Sequence, residues 1–353
     1  MTNDSLEFLR ELIEAPSPSG FEQPAARVVR RRMEAIADEI RTDVHGNTIC
    51  ALNPQGRVRV MLAGHCDQIG FMVRYVNEQG FISFASIGGF DENLVAGNRV
   101  VVHGRRGPVP GVIGKKPIHL MDPEERKKVS EIKSLWIDIG AASRAEAEEA
   151  VAVGDPVTFD LSLGRLMNDR LVAPGFDDKM GTFVVMEVMR LLKGRRVDAA
   201  LFSVATVQEE IGLRGAKTSA FGIDPHVGIA CDVGFASDYP TIDKAQVGEV
   251  ALDKGPIIAR GANINPVVFE MLVDSAAARE IPYQVSGAPR ATGTDANFIQ
   301  LTRAGVAAGL VSVPNRYMHT PVEIVSVRDL ERAAELLAEF VGRVSETTDF
   351  IPR

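Results

Sequence analysis

Hydrophobic and polar positions alternate in two different ways along this chain. The start of the chain carries a helical period, with Leu6, Leu9, Leu12 and Ile13 on one face. The segment PSPSG (residues 16–20) stops that helix. Ser19, followed three residues later by Glu22, reads as a capping box for a second helix that turns Val28, Val29, Met33 and Ile36 inward. Two strands are predicted around the His45-Gly46-Asn47 turn. A third, over residues 57–62, runs out at Gly64-His65.

From residue 70 to 164 the period shortens. The runs FMVRYV, FISFAS, NRVVVHG, GVIG and LWIDIG are β-like and are cut by glycine turns. The one clear helix in this stretch covers residues 143–152, where Ser143 precedes Glu146. The segment 119–131 is charged, lacks an apolar stripe and reads as a mobile loop. After residue 165 the α/β pattern returns. Helices are predicted over 178–192, 266–279, from near 294, and over 327–344. Strands are predicted over 199–207, 227–231 and 308–313. The expected architecture is therefore α/β. Residues 1–69 and 165–353 form one domain, and a small β-barrel or sandwich, residues 70–164, is inserted into it.

Composition narrows the class. The chain has 353 residues, 45% hydrophobic and 24% charged, as in an ordinary globular protein. A net charge of −8 leaves no basic footprint for nucleic acid. No apolar run approaches the roughly 20 residues that span a bilayer. The polar, helix-like N-terminus does not read as a signal peptide. Cys50, Cys66 and Cys231 lack CxxC spacing and fit buried, reduced thiols in a cytoplasm.

Five short stretches then place acid–base or metal-binding side chains at or beyond the ends of apolar runs: GHCDQIG (64–70), GFDDK (175–179), VQEEIG (207–212), ACDVG (230–234) and YMHTP (317–321). In open α/β sheets the binding crevice lies beyond the carboxyl ends of the strands. In His65-Cys66-Asp67, positions i and i+2 share a strand face. His65 can bind a metal through one nitrogen while Asp67 accepts the other ring N–H. One of Asp177 and Asp178 can bridge two metals while the other caps the following helix. One of Glu209 and Glu210 can be a ligand and the other a general base raised by burial and like charge. Asp232 ends a strand, and His319 sits in a loop before Pro321. His45, His103, His119 and His226 have no comparable setting and read as structural or surface residues.

On these motifs, together with PSPSGFE, GVIGKKPIHL, LWIDIGA, GDPVTF, TGTDAN and RYMHTPVE, nearly the whole chain resembles the di-metal aminopeptidases of the glutamyl/lysyl/leucyl type. These build tetrahedral (TET) dodecamers, and some carry the names endoglucanase or cellulase M. The resemblance implies a mixed-sheet αβα di-zinc peptidase domain with an inserted PDZ-like β-barrel that organises the oligomer. His65, Asp177 and Asp232 would hold one metal. Asp177, Glu210 and His319 would hold the other, with Asp177 bridging. Glu209 would be the general base, and Asp67 would orient His65. A cis peptide is expected at Asp177–Asp178. Many relatives have Glu where this chain has Gln68 and Arg where it has Lys179, which touches the charge of the site.

The reading is a cytoplasmic metal-dependent aminopeptidase acting on peptides. A water shared by two zinc or cobalt ions, or manganese, would give its proton to Glu209. The rivals are a glycoside hydrolase using paired carboxylates and a non-catalytic assembly protein. One Trp and four Tyr offer few sugar platforms, and a structural metal needs no base. The insertion supplies no candidate ligand and is expected to make subunit contacts, giving dimers that assemble into a dodecamer.

Overall fold

The computed structural model describes residues 1–353. The helices are α1 (Asn3–Glu14), α2 (Gln23–Met33), α3 (Arg144–Ala150), α4 (Phe176–Leu192), α5 (Arg214–Ile223), α6 (Lys244–Val247), α7 (Pro266–Ala278), α8 (Ala296–Gln300) and α9 (Val327–Arg343). The strands before the inserted barrel are β1 (Glu39–Thr42), β2 (Thr48–Leu52) and β3 (Arg59–His65). Those of the barrel are β4 (Gly70–Val76), β5 (Ile82–Ile87), β6 (Arg99–Gly104), β7 (Gly107–Gly114), β8 (Trp136–Asp138) and β9 (Pro156–Phe159). The rest are β10 (Gly164–Leu166), β11 (Arg170–Ala173), β12 (Ala200–Thr206), β13 (Val227–Phe235), β14 (Ile257–Gly261), β15 (Gln284–Ala288), β16 (Ala307–Asn315) and β17 (Glu323–Ser326).

The central sheet has the order β1-β2-β12-β3-β13-β16-β14-β15. Its four middle strands, β12, β3, β13 and β16, run parallel, so their carboxyl ends share one edge. Period-two burial sorts the side chains of β3. Val60 and Leu62 join the large apolar cluster with α1, α4 and α9, while Met61 and Ala63 join a smaller one with α5 and Ile299 of α8. Each of the larger side chains, Val60, Met61 and Leu62, contributes about 1.5–3 kcal/mol when fully buried.

Strands β4 to β9 close into a barrel with its own apolar core, in which Phe71 meets Phe84, Phe90 and Phe159. β10 lies outside the barrel and pairs with β11 and β17 in a separate three-stranded sheet. Ser143 caps α3 through the Glu146 N–H, as its spacing predicts. Residues 119–131 are largely exposed and form short 3-10 turns.

The Ser19–Glu22 capping box does not form. α2 begins at Gln23 with Pro24 in its first turn, and a proline there needs no N–H partner. Ser19 and Glu22 are instead buried next to the site.

Two glycines set how closely α4 lies against the sheet. A Cβ on Gly64 of β3 would fall 2.3 Å from the backbone of Gly181 and Thr182. A Cβ on Gly181 would fall 2.3 Å from the Cys231 carbonyl of β13. Thr182 Oγ1 donates to the Gly64 carbonyl at 2.9 Å across this contact. We predict that Gly64→Ala pushes α4 away from β3 and costs several kcal/mol, on the order of other buried overpacking defects. A thermal melt should show a lowered midpoint, and an unchanged midpoint would mean the contact is soft.

Candidate active site

The start of α4 is where the helix meets the strand ends. The Asp177–Asp178 peptide is cis, and both residues depart from helical φ/ψ. Asp178 is fully buried. Its Oδ2 accepts the His65 N–H at 3.1 Å and its Oδ1 accepts the Gly181 N–H at 3.0 Å. It thus caps the helix proper and ties it to β3, and both oxygens are engaged. Asp177 is left facing two imidazoles. Its Oδ1 lies 3.2 Å from His65 Nε2 and its Oδ2 3.2 Å from His319 Nε2.

The parallel strands deliver the rest. β12 ends at Thr206. Gln208 then turns through the left-handed region (φ 57°) to present Glu209 and Glu210. Glu209 Oε2 lies 3.7 Å from His65 Nε2, and Glu210 Oε2 lies 3.6 Å from His319 Nε2. Asp232 is in β13, buried, with Oδ1 accepting the Val233 N–H at 2.7 Å. His319 follows β16 and also has a positive φ of 60°. His65, Asp177, Glu209, Glu210, Asp232 and His319 line one cavity of about 430 Å³. Ligand-type atoms of His65, Asp177 and Glu210 lie within 4.8 Å of one another, and so do those of His65, Asp178 and Asp232.

Both histidines are oriented by backbone. His65 Nδ1 lies 3.0 Å from the Asp67 carbonyl, closer than the 3.5 Å to the Asp67 carboxylate that the H-x-D spacing suggests. His319 Nδ1 lies 3.0 Å from the Gly89 carbonyl. A carbonyl only accepts, so these contacts keep a proton on each Nδ1 and turn each Nε2 toward Asp177. Without a cation each Nε2 also donates to that carboxylate, and both rings are raised toward the imidazolium; a bound cation would replace the Nε2 proton. The Asp67 carboxylate has other work. It accepts from Ser19 Oγ at 2.7 Å, Glu209 N–H at 3.0 Å and Glu210 N–H at 3.2 Å. It therefore shapes the turn that carries both glutamates.

The electrostatics divide the carboxyls. Burial pushes Asp177 up, but the imidazoles of His319 and His65 outweigh it and hold the group down to about 2. Burial raises Glu209 to about 10; His65 opposes, while Asp232, Asp295 and Glu210 add like charge. Burial and then the Asp177 charge raise Glu210 to about 9. Asp232 rises to about 7, again from burial first. Burial also drives the thiols of Cys66 and Cys231 well above their ordinary range, so neither is a nucleophile.

Several contributors escaped the sequence reading. Glu323 is buried and clamps two backbones, its Oε1 accepting from His319 N–H at 2.9 Å and its Oε2 from Asp177 N–H at 3.0 Å. Asp295 of TGTDAN is buried, accepts from Thr206 Oγ1 and adds its charge to Glu209 and Asp232. Only its position in a glycine-rich polar run hinted at a role. The two departures, Gln68 and Lys179, touch each other. Lys179 Nζ donates to Gln68 Oε1 and to the carbonyls of Ile13 at 3.0 Å and Ala15 at 2.6 Å. Burial lowers this ammonium to about 7, and its partner Gln68 is a neutral acceptor.

A mixed sheet with an inserted barrel, and a cluster of histidines and carboxylates where the carboxyl ends of the parallel strands meet the start of α4, defines a class of metallopeptidase fold. Residues 46–336 match the model of the M42 glutamyl aminopeptidase family, and the chain belongs to that family. It is 36% identical to the lysyl aminopeptidase of Pyrococcus furiosus over 98% of this chain and 99% of that protein. The TET aminopeptidase of the marine sediment archaeon Thaumarchaeota archaeon SCGC AB-539-E09 superposes with a TM-score of 0.93, at 36% identity, covering 98% of this chain and 97% of that one. The Pyrococcus horikoshii TET1 peptidase, which can assemble into a tetrahedron or a large octahedral shell, gives a TM-score of 0.87 at 28% identity, covering 96% and 100%. The chain is thus a peptidase of this family.

Proposed function

We propose that the cluster holds two divalent cations and removes single residues from the N-termini of peptides. One observation carries this: Asp177 offers one oxygen toward each of two imidazoles, at 3.2 Å on both sides. His65, Asp177 and Asp232 would hold one ion, and Asp177, Glu210 and His319 the other. Asp178 lies close to His65 and Asp232, but N–H groups occupy both its oxygens. The donor set fits the ions. Glu210 Oε1 is buried with no hydrogen-bond partner, and mixed imidazole and carboxylate donors suit zinc, cobalt or manganese.

When bound, the cations acidify water and polarise the scissile carbonyl. The remaining work belongs to the protein. Glu209 accepts a proton from the attacking water and returns it to the leaving amine. Asp67 holds the Glu209 turn through backbone N–H groups, and the Nδ1 contacts keep both imidazoles aimed. A glycosidase needs two opposed, substrate-facing carboxyls, whereas Glu209 and Glu210 each face a histidine. We predict that Glu209→Gln lowers kcat by roughly 10²–10⁴ with metal content retained, while Glu210→Gln loses metal along with activity. Metal analysis of the purified variants separates these. Equal loss of metal in both would refute the division of roles.

The cavity also supports a preference. Leu213, Val233, Phe235 and Met318 form its apolar wall, and no Lys or Arg lines it. A glutamyl side chain would find no cation there. A lysyl side chain would find no carboxylate outside the metal cluster. Apolar N-terminal residues are therefore the fitting substrates, in contrast to the names of several relatives. On aminoacyl p-nitroanilides, Leu and Met should exceed Glu and Lys in kcat/KM by about tenfold or more. Cleavage that favours Lys would overturn the preference and leave the peptidase reading intact.

We read the barrel as the subunit-contact element of a homo-oligomer, in keeping with the assembly of the Pyrococcus horikoshii relative. Sedimentation at micromolar concentration should give a species larger than 38.1 kDa. A fully active monomer would leave this reading without support.

A further inference from the structure

The barrel reaches the active site with its backbone. The segment after β5, Gly88-Gly89-Phe90, passes directly beside His319 and Glu210. The Gly89 carbonyl is the acceptor at 3.0 Å from His319 Nδ1. A Cβ on Gly88 would lie 3.4 Å from Glu210 Oε2, and one on Gly89 would lie 3.6 Å from His319 Nδ1. Gly88 has a positive φ of 76°, and a Cβ on it would fall 2.6 Å from Ile69 Cγ2, so the segment turns here only as glycine. The segment is fixed from the other side by Phe90. Its ring stacks on Phe71 at 4.5 Å and meets Phe159 edge-on at 5.9 Å, so it is seated on the barrel core.

The two histidines therefore differ in what holds them. The acceptor for His65 Nδ1 is the Asp67 carbonyl, two residues on in the same stretch of chain. The acceptor for His319 Nδ1 comes from the barrel, 230 residues away in sequence. The main chain of His319 is in turn held by Glu323 of β17. A histidine ligand whose second nitrogen loses its acceptor is free to change tautomer and rotate, and such losses cost roughly 10–100-fold in metal affinity.

We propose that residues 88–90 form a positioning element for His319, so that one of the two metal positions depends on the seating of the barrel and the other does not. This rests on the two-cation reading above. The test variant is Phe90→Ala, which unseats the segment without altering any ligand. Zinc titration of the metal-free protein should show one ion binding with wild-type affinity and the other weakened by about 10–100-fold. Ring-nitrogen NMR of the metal-free protein should show the His319 Nδ1–H held in a hydrogen bond in the wild type and rapidly exchanging in the variant. Val102→Ala, in the barrel core but outside the segment, should keep both ions. If Phe90→Ala does not fold, Phe90→Leu is judged by the same outcomes. Two ions at wild-type affinity, or equal weakening of both, would overturn the proposal. A wild-type protein that binds no zinc would instead refute the two-cation reading itself.

Discussion

The site depends on one steric fact: a helix lies on two strands at a place where neither side presents a side chain. Gly64 and Gly181 let the start of α4 press against the backbone of β3 and β13. The Thr182 hydroxyl and the Asp178 carboxylate then fasten helix to strand with hydrogen bonds to Gly64 and His65. A methyl group at either glycine would meet backbone atoms at 2.3 Å, which only a shift of the helix can relieve. Such a shift would carry Asp177 away from the two imidazoles it lies between. The chemistry of the site thus follows from a packing contact that contains no reactive atom.

Burying so many carboxyls in one place is costly unless each finds donors. Here the donors are distributed unequally. Asp67, Asp178 and Glu323 together accept seven N–H and O–H groups, mostly from backbone, and these bonds shape turns and helix ends. Glu209 and Glu210 are driven strongly upward by the same burial, and Glu210 keeps an unpartnered buried oxygen. The first set is scaffolding. The second set is electrostatically unfinished within the chain, which is the condition expected of groups meant for cations and protons.

Much of this was legible in the sequence because it is local. The barrel strands stand out as short runs between glycines, and the side chains of the central cavity sit at or beyond the ends of apolar runs. The Asp177–Asp178 bond has the cis form that the family resemblance implies. What was hidden is what depends on contacts between distant segments. Ser19 and Glu22 have the spacing of a cap, but Pro24 starts the helix unaided and frees them to face Asp67. Gly89 acts through a carbonyl, which no residue type announces. Gln68 and Lys179 looked like two separate departures until the fold brought them together. Strands β14 and β15, at one side of the central sheet, and the sheet containing β10 are short and carry too few alternating positions to register as a pattern.

The order of the pieces along the chain has a consequence for synthesis. The two imidazoles that flank Asp177 are more than 250 positions apart, and the barrel is threaded between them. A chain still emerging from the ribosome can complete β3 and the barrel with only His65 of that pair in place. It cannot present the second imidazole until β16 has been made and has docked beside β13. If both imidazoles are needed for the proposed cleavage, a nascent chain is inert toward its neighbours' N-termini until its last parallel strand has docked.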